Sequence, residues 1–409
     1  MNILLLTIAT KSSQKMIRDI AIELTQRGNQ VYIVCPSDSE NRASSKFLLI
    51  DGIRYLFVNS GYSVGKVSLI KKVYKFMSID SRFKRAIGDV LLQNKFDLIL
   101  YSTPPITLAN TIDKLKKKTG ACTYLMLKDI FPQNAVDMGM MKTTGLVSVI
   151  WRYFRAKEKR LYRISDYIGC MSPANCDYIL NNNPEISKDK VGICVNSYRE
   201  EPLIEINQEM IRRKYNIPQD RVVFLYGGNL GKPQGLQYFV EVLDQNRDRL
   251  DRFFLICGGG NDQNRIINYI KKNQPTNIAY IPFIPPDEFD ILSRACDVGM
   301  VFLDRRFSIP NFPSRILSIM LNEKPILAAT DVNSDLNQMI KDGDSGWWCE
   351  SKDPSEMTQI INYICENRES LVNKGRNARE YYLSHFTTRI ACDQIELGIK
   401  IVRPELINE

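Results

Sequence analysis

The stretch Phe224–Leu236, FLYGGNLGKPQGL, decides how the rest of this chain is read. An apolar run that suits a buried strand ends in Gly227-Gly228-Asn229, passes Gly231 and Lys232, and reaches Gln234-Gly235, where a helix opens at Leu236. Glycines after a strand let the backbone approach a phosphate closely, and the N-terminus of the following helix favours an anion. Strand-to-helix turns use glycine for their own geometry, so one such loop is a weak signal. Two more loops strengthen it. Cys257-Gly258-Gly259-Gly260-Asn261 follows the next strand-like run, and Ile309-Pro310-Asn311-Phe312-Pro313-Ser314-Arg315 opens a later helix with Pro313 in its first turn. Ser314 and Arg315 offer N–H groups, a hydroxyl and a guanidinium suited to a diphosphate.

Working outward, apolar runs alternate with helical stretches twice over. The first series falls at 2–6, 31–35, 55–58, 98–101, 122–127, 167–171 and 190–195, and the second at 222–226, 253–257, 278–281, 298–303, 325–329 and 346–349. Alternation of this kind predicts α/β architecture, with parallel sheets covered by helices on both faces. The expected organisation is an N-terminal Rossmann-like domain (1–197), a polar linker (198–220) and a second Rossmann-like domain (221–385). A C-terminal helix (386–409) then returns to the first domain. Two doubly wound domains of about 200 residues would face each other across a cleft at the carboxyl ends of their strands.

Composition excludes several classes. Hydrophobic content of 44% and charged content of 25% are those of a globular chain. No apolar run reaches the roughly 18 residues of a membrane span, and Met1–Leu6 reads as a first strand, not a signal peptide. None of the ten cysteines forms a CxxC pair, so reduced thiols in a cytoplasmic protein are expected and no zinc site is. The lone histidine, His385, lies far in sequence from every glycine loop, so acid–base chemistry falls to carboxylates, Lys, Tyr or the substrate.

Charge is uneven. Residues 1–197 carry a net charge of +13 and the remainder −4. The excess concentrates in Val64–Gln93 and in Ile150–Arg163, IWRYFRAKEKRLYR, where six basic residues meet one acidic residue. Two readings stay open: a solvated helix face, or attachment to an anionic membrane surface. No recognition motif accompanies the charge, so nucleic acid is not an expected partner.

In the first half, Asp129 follows the apolar run CTYLMLK and precedes Phe131-Pro132, which puts it at a strand's carboxyl end. It could orient or deprotonate an acceptor hydroxyl, cap a helix, or pair with Lys128 or a nearby Arg. Ser12 and Ser13 at the first strand-to-helix turn, and Ser102 and Thr103 after the fourth apolar run, are the other acceptor-side candidates; N-capping accounts for the first pair, and turn formation accounts for the prolines that follow the second.

Together, YGGNLGKPQGL, ICGGGNDQN, NIAYIPFIPPDEFDILSRACDVGMVFL and FPSRILSIMLNEKPILAATD resemble retaining GT-B glycosyltransferases of glycosyltransferase family 4. The similarity is to bacterial O-antigen and capsule enzymes, including the fucosamine-transferase-like branch. It extends over nearly the whole chain, since LKDIFPQNAVDMGM and LYRISDYIGCMSPA also resemble that family's segments. The resemblance implies the GT-B fold and transfer of a sugar, of HexNAc type, from a UDP-sugar to a glycan or a polyprenyl-diphosphate-linked sugar. Configuration would be retained, with no metal and no cofactor beyond the nucleotide-sugar donor, in the cytoplasm or peripherally on the inner face of the membrane. It implies that Gly228, Asn229, Lys232, Gln234, Gly235, Gly259, Ser314, Arg315 and Ser318 bind the donor, that Phe283 and Pro285 border the base, and that Asp129 acts on the acceptor. The chain departs from the family's pattern at specific positions. Asn229 and Gln234 stand where many members have Arg and Lys, Pro310 and Ser318 replace the glutamates of a Glu-x(7)-Glu motif, and Glu323 stands where Gly precedes Lys-Pro. Two rivals remain: a UDP-sugar 2-epimerase, since the fold is shared, and a degenerate, non-enzymatic GT-B subunit, which these departures support.

Overall fold

The computed structural model describes residues 1–11, 14–37, 47–59, 69–90, 94–104 and 106–407, with backbone alone at 69–77 and 89–90. Ser12 and Ser13 lie outside the described residues, as does part of the basic Val64–Gln93 segment. The chain divides into two compact units, residues 1–199 with 388–409, and residues 200–387.

The first unit runs β1 (Asn2–Leu6), α1 (Lys15–Gln26), β2 (Gln30–Pro36), β3 (Leu48–Ile50), β4 (Ile53–Val58), α2 (Leu69–Val90), β5 (Leu98–Ser102), α3 (Ala109–Thr119), β6 (Cys122–Leu127), α4 (Gln133–Asp137), α5 (Ser148–Ile164), β7 (Tyr167–Cys170), α6 (Pro173–Asn182) and β8 (Val191–Ile193). The second runs α7 (Gln208–Lys214), β9 (Val222–Gly227), α8 (Leu236–Gln245), β10 (Arg252–Cys257), α9 (Asn264–Asn273), β11 (Ile278–Ile281), α10 (Pro286–Ala295), β12 (Val298–Phe302), α11 (Arg315–Leu321), β13 (Ile326–Thr330), α12 (Leu336–Asp342), β14 (Gly346–Glu350), α13 (Pro354–Glu366) and α14 (Ser370–His385). Helix α15 (Thr388–Val402) then rejoins the first unit.

Both sheets are doubly wound. The first has the order β3-β4-β2-β1-β5-β6-β7-β8 and the second β11-β10-β9-β12-β13-β14. All pairs are parallel except β3–β4, an antiparallel edge strand that the alternation of apolar runs did not reveal. Central strands such as β6 and β10 are buried along their whole length, which is why they read as continuous apolar runs rather than alternating ones. In each sheet the order of connection reverses once, between β1 and β5 and between β9 and β12. Open sheets of this kind bind ligands at such a switch point, outside the carboxyl ends of the strands.

Two particulars refine the expected boundaries. Helix α7 lies within the polar 198–220 segment, yet Ile211 and Ile217 join a buried cluster with Val223, Leu225, Leu255 and Leu292, so burial draws this stretch into the second unit. The segment 370–403 breaks between α14 and α15. Cys392, Ile395 and Ile399 of α15 enter the core of the first unit, and Arg27, just past α1, bonds to Glu396 at 2.9 Å and to Asp393 at 2.7 Å. None of the ten cysteines is paired. Among the described residues, no helix is long and apolar enough to cross a membrane.

Candidate functional site

In the second unit the three loops converge at the carboxyl ends of β9, β10 and β12, and hydrogen bonds join them. Gly228 N–H donates to the Cys257 carbonyl at 2.9 Å, Leu230 N–H to Gly259 O at 2.9 Å and Asp262 N–H to Leu230 O at 3.0 Å. Asp304 N–H, after β12, reaches Pro233 O at 2.9 Å. Glycine is required where these backbones touch. A Cβ on Gly258, at φ +130°, would lie 2.0 Å from Gly228 O, and one on Gly235, at φ +57°, would press on the Asp304 backbone at 3.2 Å.

This packing changes which groups face a ligand. Gly228 and Leu230 spend their N–H groups on the neighbouring loop. Gln234 is buried, and its Oε1 accepts from Gly231 N–H at 3.1 Å and from Asn229 Nδ2 at 3.3 Å. Gln234 therefore braces the loop from inside. Arg306 is clamped to Asp304 at 2.7 Å. Lys232 is exposed and has no ion-pair partner among the described residues.

Arg315 is arranged differently. Its guanidinium lies 4.8 Å from the centroid of the Tyr226 ring and against Gly228, and its Nη1 is buried with no hydrogen-bond partner. Tyr226, in turn, is fixed by its hydroxyl, which donates to Asn229 O at 2.8 Å. Leaving a buried charged donor unpaired costs at least about 1–3 kcal/mol, which an anion in the crevice would recover. Ser314 and Arg315 open α11, whose first N–H groups point out of the helix. Ser318 lies one turn on, on the face of Ser314. Pro310 is buried in the preceding loop. Glu323 lies past the opposite end of α11, with φ +57°. Beside the second loop, Gly258 N–H donates to Ile281 O at 2.9 Å, and Phe283 and Pro285 follow, Phe283 75% exposed. His385 stacks on Tyr381 at 4.0 Å, and its neighbour Phe386 packs on Phe312 at 5.3 Å, so the end of α14 sits closer to the third loop than its sequence position suggests.

In the first unit, Asp129 stands just past β6. Both of its carboxylate oxygens lie 2.8 Å from Asn134 Nδ2, which donates to them. Burial, partly offset by hydrogen bonds from Ile130 N–H and Asn134, pushes its pKa up to about 6. It does not cap α4, whose N-cap is Pro132. Nor does it pair with Lys128, whose ammonium donates to Cys194 O at 2.8 Å and Val195 O at 3.0 Å. The Thr103 hydroxyl donates to Asp129 O at 3.0 Å and accepts from Lys128 N–H at 3.0 Å and Asp129 N–H at 3.1 Å. That uses its full hydrogen-bonding capacity, so Thr103 holds the Asp129 backbone in place rather than offering a free hydroxyl. Ser102, half-buried at the end of β5, has no hydrogen bond from its hydroxyl among the described residues. Tyr226 and Asn134 are the residues that sequence reasoning missed. Tyr226 reads as strand core, and Asn134 is marked only by lying five positions after Asp129.

Comparison with known proteins bears on the family match and the fold. Residues 207–381 match the family model described as glycosyl transferases group 1. The chain is similar to the probable glycosyltransferase WbjE of Pseudomonas aeruginosa, 25% identical over 276 residues, 66% of each chain. It is also similar to the putative colanic acid biosynthesis glycosyl transferase WcaI of Escherichia coli (strain K12), 23% identical over 250 residues, 60% of each. The match thus spans slightly less than two thirds of these relatives' lengths. Among solved structures, Anabaena HepE in complex with UDP-glucose superposes with a TM-score of 0.71 at 14% identity, covering 98% of this chain and 99% of that one. The family match thus falls on residues 207–381 of the second unit, and the chain as a whole has the GT-B fold.

Proposed function

We propose that this protein is a glycosyltransferase of surface-polysaccharide synthesis. It moves a HexNAc-type sugar from a UDP-sugar to a hydroxyl of a glycan or a polyprenyl-diphosphate-linked sugar, with retention of configuration. The observation that carries this reading is the Arg315 guanidinium, buried at Nη1 without a partner and laid over Tyr226 where three loops and a helix N-terminus meet. Such a group is preorganised for the negative charge that develops on a departing diphosphate, and it does so without reorganising at the moment of reaction. Ser314, Lys232 and the first N–H groups of α11 supply further donors, so no metal is invoked. Phe283 offers an exposed ring to uracil. The names of the relatives support the reaction class and the polysaccharide context, and the HepE complex supports a uridine diphosphate donor.

Asp129 is assigned to the acceptor. A carboxyl with its pKa near 6 is ionised at neutral pH and remains basic enough to draw a proton from an attacking hydroxyl. The enzyme would work in the cytoplasm, at the inner face of the membrane where a lipid-linked acceptor resides. Calorimetric titration with UDP, GDP and dTDP tests the donor. UDP should bind most tightly, and absence of heat with all three would favour the degenerate-subunit reading, which the loss of both motif glutamates to Pro310 and Ser318 supports. Chelation by EDTA should leave turnover unchanged.

A further inference from the structure

We infer that residues 140–153 of the first unit are the surface through which the protein seats on an anionic lipid bilayer. This rests on the lipid-linked-acceptor part of the proposed function and names the place where it is met. Single exposed apolar residues are ordinary, but a contiguous group marks an interaction surface. Here Leu146 is 97% exposed, and Met140, Val147, Val149 and Ile150 are each more than half exposed. They occupy the connection between α4 and α5 and the first turn of α5.

Helix geometry sorts the rest of α5 into two faces. Phe154, Glu158, Leu161 and Tyr162 are buried. The outward face carries Val149, Arg152, Tyr153 and Arg163, all exposed, while Ile150, exposed at the helix start, and Lys157, half-buried, flank the buried stripe. The single acid of this stretch is spent internally, because Glu158 pairs with Arg155 at 2.5 Å and accepts from Tyr162 Oη at 2.8 Å. Lys159 is held by Glu185 and Arg160 by Asp113. Among the described residues, Lys142, Arg152, Lys157 and Arg163 have no acidic partner; Lys157 instead lies over the Tyr153 ring at 5.6 Å.

An apolar tip bordered by unpaired cations complements hydrocarbon beneath anionic headgroups. A second copy of this chain would oppose the same four cations to themselves, and nucleic acid would leave the apolar tip uncovered. The surface also connects to the acceptor side of the same unit. Phe131, two residues from Asp129, packs edge-on against Phe154 at 5.1 Å. Seating α5 on a bilayer therefore fixes the loop that carries Asp129 relative to the headgroups.

Co-sedimentation of the full chain with phosphatidylcholine vesicles, with and without phosphatidylglycerol, tests the inference. Binding should require phosphatidylglycerol and weaken with salt. Leu146→Ser/Ile150→Ser should lower the partition coefficient at least about tenfold, and Arg152→Gln/Lys157→Gln about 25-fold at low salt, roughly fivefold per cation. Leu146, Ile150 and Arg152 are exposed and Lys157 is half-buried, and unchanged circular dichroism will show that the fold is kept. The inference is overturned if the wild type stays in the supernatant at low salt, if either double variant partitions like the wild type, or if the apolar variant only converts a dimer to a monomer. Titration with UDP separates the two claims. Heat with UDP but no vesicle binding sinks the membrane surface alone, whereas vesicle binding without UDP heat sinks the donor reading and leaves this surface standing.

Discussion

The strand-end loops of the two units handle their polar groups in opposite ways. In the second unit the loops bond to one another through backbone and amide groups and leave one cation, Arg315, with a buried donor unanswered. In the first unit the loops close around a carboxylate. Thr103 fixes the Asp129 backbone, Asn134 fixes its side chain, and burial raises its pKa to about 6. On the proposed function, one crevice would receive negative charge and the other would supply a base. A transferase needs both: stabilisation of the leaving diphosphate, and a group that can take the proton of the incoming hydroxyl.

The largest expected effect breaks the second half of this contrast. Asp129→Asn should cut turnover by roughly 10²–10⁴-fold with little change in UDP affinity, measured by radiolabelled transfer and calorimetry. The wild-type rate should climb as pH rises through about 6, where the carboxyl loses its proton, and the variant should lack that step. Stability gives the opposite slope. The folded state holds the Asp129 proton up to about pH 6 and the unfolded state only to about 4, so the native form binds more protons between them and loses stability as pH rises through that window. The loss is at most about 3 kcal/mol, and it should be absent in Asp129→Asn. A rate that is flat through pH 6 would remove Asp129 as the base.

Glycine substitutions compare the two units directly. Gly258→Ala sets a Cβ 2.0 Å from Gly228 O at φ +130°, so loop backbone must move, at a cost of roughly 2–4 kcal/mol. Gly28→Ala, after α1 at φ +83°, meets nothing within 4 Å and should cost about 1 kcal/mol from the backbone alone. Urea denaturation should separate them, with only Gly258→Ala also weakening UDP binding. Equal costs would mean that the contact between loops is not what requires glycine at 258. Next in size, Arg315→Gln should weaken UDP about 10- to 100-fold, the worth of a hydrogen bond from a charged donor. Unchanged affinity would move the diphosphate to Lys232.

Much of this was legible in the sequence because parallel strands buried on both faces leave long apolar runs. Cys122–Leu127 and Ile278–Ile281 have the same limits in sequence and structure. The antiparallel β3 was not legible, since three residues with an exposed start carry no periodicity. At the site, glycines announced the loops but not their partners. Nothing in GGNLG states that the N–H groups of Gly228 and Leu230 are consumed by the CGGG loop, because that depends on strand order, which brings β10 beside β9. For the same reason Gln234 reads as a ligand contact and folds as a brace. Arg315 was legible as a basic residue at a helix start, whereas its support by Tyr226 requires knowing that β9 and α11 are neighbours in space.

The smallest effect tests whether the departures from the family pattern concern catalysis or only the fold. Glu323 adopts φ +57° just beyond α11, a conformation that favours glycine, and it lies past the opposite end of that helix from Arg315. Seven helical residues rise about 10 Å, which sets Glu323 well away from Arg315 and the loops that meet it. Its cost should therefore appear in stability alone. Relief of the left-handed conformation, about 1 kcal/mol, is partly offset by the greater freedom of glycine in the unfolded chain. Glu323→Gly should thus stabilise the protein by roughly 0.5 kcal/mol, seen as a higher urea midpoint, and leave UDP affinity and turnover unchanged. If affinity falls instead, this carboxylate takes part in holding the donor, and the contrast between an unanswered cation in one unit and a poised acid in the other would need a second acid on the donor side.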